Sequence, residues 1–414
     1  MFPRALPICI VAALVSMPLS ALAVANTPSS PHLWRAALAL ALLSWITPMI
    51  FAVNIRIVPV FSRRTWRWPP LVLSSVIGSI VAGWITALGI TIREDRLETL
   101  GQAVALTAGV AFTISIVGLF RQSPRGPALP ILDPLQSQVD RWATSFMRYA
   151  VLFLLTGLLV GVVRTVWTPE SGRWNLVWAH LLLVGWMLHM VSGVLYHAAS
   201  RWTGIPWCDV RLVRLHLWLA PLGTVIMVVA LATDLTVLFG IGGIMQTVAL
   251  ALLAFNVLPV LWSMPQPSRT ALVSAFVCLG LGVSLGATFV FLPSIGPTHR
   301  ITHATLNVYG FTGLLLYGAG SYLLPRFFGY PLRWPKLVMG VVVLHLVSVL
   351  ALAGGWAMQT NGTAYAREVI TLGGVGIALA GVGFVASIAA TVRASQRHRL
   401  PTISVSTPSM PQRR

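Results

Sequence analysis

Charge is what this sequence has least of. Only 9% of its 414 residues are Asp, Glu, Lys or Arg, against roughly 25% in a soluble domain. That excludes an ordinary soluble protein, and no stretch is long or polar enough to form a separate soluble domain. Acids are the scarcest: Glu94, Asp95, Glu98, Asp133, Asp140, Glu170, Asp209, Asp234 and Glu368 are all there are. Each falls in a loop or at the end of an apolar segment. With no carboxylate expected at mid-membrane, a proton- or sodium-coupled transporter is disfavoured. Cysteine is nearly absent as well. Cys9, Cys208 and Cys278 show no CxxC spacing, which argues against thiolate metal clusters and a disulfide framework. No Walker, dinucleotide-binding or nucleophile-elbow motif stands in a credible context.

What is present is hydrophobic. Apolar residues make up 57% of the chain and its mean hydropathy is +0.83. Runs of about 20 apolar residues recur along the whole length, the mark of membrane-spanning helices. We place spans near 5–25, 33–60, 69–92, 98–120, 143–165, 174–199, 210–233, 236–262, 270–292, 301–325, 335–357 and 367–393. The expected fold is an all-α polytopic transmembrane helical bundle of about twelve spans, forming a single domain over 1–393. A polar tail, 394–414, is expected to be disordered. The longest loop, near Arg121 to Arg141, is proline-rich (Pro124, Pro127, Pro130, Pro134).

The net charge of +19 does not point to nucleic acid, because the arginines sit in short loops between apolar runs. They signal topology and contact with anionic lipid of the bilayer. One side of the chain receives 21 of the 28 Lys and Arg. By the positive-inside rule that side is cytoplasmic and holds both termini, which places the protein in a bacterial inner membrane. Many tryptophans, such as Trp34, Trp68, Trp167 and Trp334, lie at span ends as an aromatic belt. The first segment, 1–25, reads two ways. It is a first span, or a signal peptide cleaved after Ala21-Leu22-Ala23.

An internal repeat favours keeping it. Gly185/Gly310, Gly193/Gly318, Arg201/Arg326, Gly204/Gly329 and Pro206/Pro331 all match at one offset of 125 residues. A fainter copy starts at Ser44-Trp45. These segments are the second, sixth and tenth spans, so the repeating unit is four helices. The units run approximately 1–120, 143–262 and 270–393. An even number of spans keeps the units in one orientation, related by an axis along the membrane normal.

The histidines are the candidate chemistry, because imidazole binds haem iron or copper while uncharged. His180 stands five residues before Gly185, and His303 seven before the matching Gly310. The two lie at similar depth, near the periplasmic face, on helices able to present them to opposite sides of one haem. His299 and His303 share a face at i, i+4 after Pro297, which suits a metal or a haem propionate. His189 and His345 are deeper metal-ligand candidates, each needing a polar partner such as Gln246, Asn256 or a cofactor. His32, His197 and His216 read as interfacial.

The string from His303 to Gly329, with Gly310, Gly318, Tyr322, Pro325 and Arg326, resembles a block of NnrS-like proteins and of the wider haem–copper oxidase subunit I superfamily. His180 to Gly204 resembles a degenerate copy of it. The resemblance implies twelve spans with threefold pseudo-symmetry, bound haem or copper, and a part in the nitric-oxide response or respiratory metabolism. It also implies a respiratory or cytochrome partner. The sequence departs from the family pattern in several places. Position 305 is Thr305 where a second His would stand, while the second unit has the complementary Trp178-x-His180. The second span carries no internal His for a low-spin haem. The seventh has His216 but no adjacent His pair for copper. A protein that kept this architecture and lost the cofactor is the alternative.

Overall fold

The computed structural model describes residues 5–125, 135–167, 172–207 and 209–397. Most of the proline-rich loop, Cys208, and the tail with His398 lie outside them. Among the described residues there is no strand. Twelve long helices follow one another: α1 (Ala5–Ala25), α2 (Leu33–Ser62), α3 (Pro69–Ile92), α4 (Asp95–Phe120), α5 (Gln136–Trp167), α6 (Gly172–Thr203), α7 (Val210–Thr233), α8 (Thr236–Trp262), α9 (Ser268–Phe291), α10 (296–328), α11 (Pro335–Thr360) and α12 (Ala366–Arg397). Eleven are long and apolar enough to cross a membrane. The exception is α10, which opens on the polar run GPTHRITHAT.

Local chemistry sets the helix ends. Prolines occupy the first turn of α3 and α11, where a missing N–H costs nothing. The Asp209 carboxylate accepts from the Arg211 N–H at 2.7 Å and caps α7. Helices α6 and α10 stop at Gly204 and Gly329, with φ of 74° and 66°. That left-handed conformation favours glycine. In α2 the matching stop is Arg63, at φ 55°.

Three helices form the interior. The apolar window of α2 is 83% buried and that of α6 72%, whereas α9 reaches only 28%. The inner helices meet directly. Trp45 of α2 stacks on Tyr309 of α10, Trp186 of α6 donates to Thr47 of α2, and Tyr322 of α10 donates to the Trp202 carbonyl of α6. The other helices wrap this trio, and α1 packs along α12. Ser20 of α1 reaches inward, hydrogen-bonding the Ala37 carbonyl and the Tyr309 hydroxyl.

Each inner helix carries one π-helical segment: Leu40–Ile46, Leu181–Leu188 and Leu306–Gly313. Their starts are separated by 141 residues, the distance from Ser44 to Gly185, and by the 125 of the sequence match. Nothing in the sequence reading anticipated a π segment. Close contacts follow the same spacing. A Cβ on Gly185 would lie 2.7 Å from Phe153, and one on Gly310 would lie 2.7 Å from Cys278. Gly193 backs onto Met147 and Gly318 onto Leu272. In both sets the two partners are 125 residues apart. The outer hairpins show a similar contact: Gly101, Gly242 and Gly373 press against the backbone nitrogens of Thr86, Met227 and Leu352, and of these only the partners keep the 141- and 125-residue spacing. Small residues at such points let helix backbones approach closely where lipid offers no hydrophobic drive.

Candidate functional site

A residue inserted into the helical ladder leaves a carbonyl short of its regular N–H partner, and a buried carbonyl needs a replacement. Here the fourth residue of each π segment receives one. The Leu43 carbonyl accepts from Ser79 Oγ at 2.6 Å, Val184 from His189 Nδ1 at 2.9 Å, and Tyr309 from His345 Nε2 at 2.9 Å. Ser79 and His345 occupy matching positions on α3 and α11. Their counterpart on α7 is Ala220, which has no donor, so in the second unit His189 serves from the same helix.

This accounts for two of the deep histidines. His189 and His345 each hold a carbonyl with one ring nitrogen. The other nitrogen, Nε2 of His189 and Nδ1 of His345, is buried with no hydrogen-bond partner among the described residues. The polar partners expected for them are engaged elsewhere. Gln246 donates to Thr224 and the Ala220 carbonyl, and Asn256 Oδ1 accepts from the Asp209 N–H. Aromatic rings surround His189 (Phe153 at 5.1 Å, Phe146 at 6.0 Å) and His345 (Tyr317 at 4.8 Å).

His180 and His303 stand on two different inner helices, α6 and α10. His180 Nδ1 is 2.7 Å from the Leu176 carbonyl, and His303 Nδ1 is 2.8 Å from the Gly282 carbonyl. A carbonyl only accepts, so Nδ1 carries the proton in both rings and Nε2 is the lone-pair atom. Both residues are half-buried. Room for His303 comes from α9: a Cβ on Gly286 would stand 2.7 Å from its ring. Asn307 donates to the His303 carbonyl at 2.8 Å, and its Nδ2 is 3.5 Å from His303 Nε2. His299, one turn earlier, is half-buried on the rim.

His216 departs from its interfacial reading. It is 1% exposed, because α7 turns that side inward against α5 and α6. The Phe146 ring lies 4.6 Å away, and His216 Nδ1 is hydrogen-bonded to the Tyr196 hydroxyl at 3.0 Å. The Phe146 ring of α5 thus lies near both His189 of α6 and His216 of α7. Among the described residues no three His, Cys, Asp or Glu side chains converge as a metal site.

Two ionic clusters escaped the sequence reading, which left every acid at a loop or span end. Glu98 is buried. It takes two hydrogen bonds of 2.9 Å from Arg35 and one of 2.9 Å from Arg164, which also donates to Asn175 at 2.8 Å and lies over the Trp178 ring. At the opposite end Asp140 binds His197 Nδ1 at 2.9 Å and Arg201 at 2.9 and 2.6 Å. The edge of Phe61 packs against His197. The only signal for either cluster was a charged residue at the end of an apolar run, and most such residues face water.

No protein-family model and no curated protein matches the chain.

Proposed function

We propose that this integral membrane protein is built from three four-helix units and binds haem through His180 and His303, as an NnrS-like protein would. One observation carries the haem reading. The two imidazoles stand on different inner helices, each with Nδ1 anchored on a backbone carbonyl. That anchoring is the usual support for a ligating histidine, because it orients the ring and leaves Nε2 as the donor atom. The recurring π segments, carbonyl caps and glycine contacts support the three-unit arrangement. Bound haem would supply a redox-active iron able to take nitric oxide or pass electrons. The protein's part is to hold the rings, keep both neutral among apolar helices, and limit water. Within this reading His299 is placed for a propionate, and copper would look to His189 and His216. Respiratory metabolism or the nitric-oxide response is the setting, with a cytochrome as partner.

The test is optical. Protein purified with ample haem supply should show a Soret band. His180→Ala or His303→Ala should lower haem content or convert a six-coordinate spectrum to a five-coordinate one, and His398→Ala should do neither. A wild-type protein with no Soret band, or a double variant with an unchanged spectrum, would sink the proposal.

A second reading rests on the carbonyl caps. His189 and His345 each already cap a backbone carbonyl, a structural role that needs no cofactor and favours a protein that kept the architecture and lost the haem. The orientation assigned to both readings puts the termini in the cytoplasm of a bacterial inner membrane. A reporter fused after Arg393 should then be active only in its cytoplasmic form, and periplasmic activity there would reverse the topology.

A further inference from the structure

Between α5 and α7, at the end assigned to the cytoplasm, lies a groove of about 860 Å³. Its α7 wall is a stripe of Arg211, Arg214, Leu215 and Trp218, spaced i, i+3, i+4 and i+7, so all four share one face. Its α5 wall carries Gln138 and Trp142. Trp207 closes the back, held by its indole N–H donating to Gln136 at 3.0 Å. We propose that this groove is a binding site for an anionic phospholipid, with the phosphate at Arg211 and Arg214 and an acyl chain along Leu215 and Trp218.

Three features select that occupant. Polarity is ordered along the helix: the charges come first, and the exposed apolar surface follows one to two turns further into the membrane. Seven residues of α-helix rise about 10 Å, which spans the headgroup and the start of the chains. Trp218 is 69% exposed and Leu215 45%, a cost in water but not beside an acyl chain. The charge is also right. Asp209 lines the groove, but its carboxylate is occupied in capping α7, and the two arginines leave the lining net positive. Exposed basic side chains at a cytoplasmic helix end attract anionic headgroups. The chain's own C-terminal tail does not suit the site, since its charged side chains are Arg397, Arg399, Arg413 and Arg414 and would be repelled.

The experiment is native mass spectrometry of the full chain in detergent, titrated with phosphatidylglycerol or phosphatidylcholine of the same chain length. Phosphatidylglycerol is expected to bind at least about tenfold more tightly. R211Q/R214Q should bring its affinity down to that of phosphatidylcholine. Trp218→Ala should weaken both lipids alike, and Arg93→Gln, at the opposite membrane face, should change neither. Both arginines are exposed, so folding should survive. Should the double variant fail to fold, R214Q alone gives the same comparison, with a smaller loss. Equal affinity of the wild type for the two lipids, or an undiminished preference in the arginine variants, would overturn the assignment.

Discussion

Glu98→Gln is expected to cost the fold about 3–5 kcal/mol, the usual penalty for removing one partner of a buried ion pair. The Glu98 side chain is 6% exposed and Arg164 2%, so water cannot replace the lost carboxylate at Arg164. Arg35 is 35% exposed and will recover part of its loss by solvation. The damage should spread beyond the pair, because the cluster ties α2, α4, α5 and α6 together at one end of the bundle. In a detergent melting experiment the variant should unfold well below the wild type. Restoring charge balance with E98Q/R164Q should regain part of the loss, since no isolated guanidinium then remains buried. The comparison is Asp234→Asn, which breaks an exposed pair with Arg173 and should change stability by no more than about 1 kcal/mol. If Glu98→Gln melts like Asp234→Asn, the cluster is not the fastening described here.

The glycines of the outer hairpins should give the second large effect, with opposite signs at two kinds of position. A methyl group at Gly373 would meet the Leu352 backbone at 2.5 Å, one at Gly242 the Met227 backbone at 2.7 Å, and one at Gly101 the Thr86 backbone at 2.6 Å. Backbone atoms cannot swing aside as side-chain tips do, so each helix pair must separate. Alanine at any of the three should cost about 1–3 kcal/mol. Gly280, Gly340 and Gly354 also lie mid-helix, but nothing approaches within 4 Å. There alanine should be neutral or stabilise by up to about 1 kcal/mol, the ordinary helix preference over glycine. Melting temperatures of the six variants decide the matter. A uniform response would mean that the three hairpins are not held by close backbone contact. Similar losses at Gly101, Gly242 and Gly373 would in addition support the three-unit reading.

Composition and spacing determined a good deal by themselves. Scarce charge and repeated apolar runs dictate a helical membrane bundle, because only internally hydrogen-bonded helices satisfy a backbone in lipid. The 125-residue offset was legible because close helix contact admits few residue types, so glycines leave a trace at Gly193 and Gly318. Other features were decided only by the tertiary structure. A π segment adds a residue to a turn without any marker residue, so the capped carbonyls of Leu43, Val184 and Tyr309 had no signature. The roles of His189 and His345 followed from those carbonyls. Burial of Glu98 and His216, and the pairing of Asp140, depended on which side of a helix end faced a neighbour, and the same residues turned outward would read identically in the chain. Sequence records what each helix can tolerate along its length. Which groups meet across helices depends on rotation and register, and these were settled only when the inner three packed together.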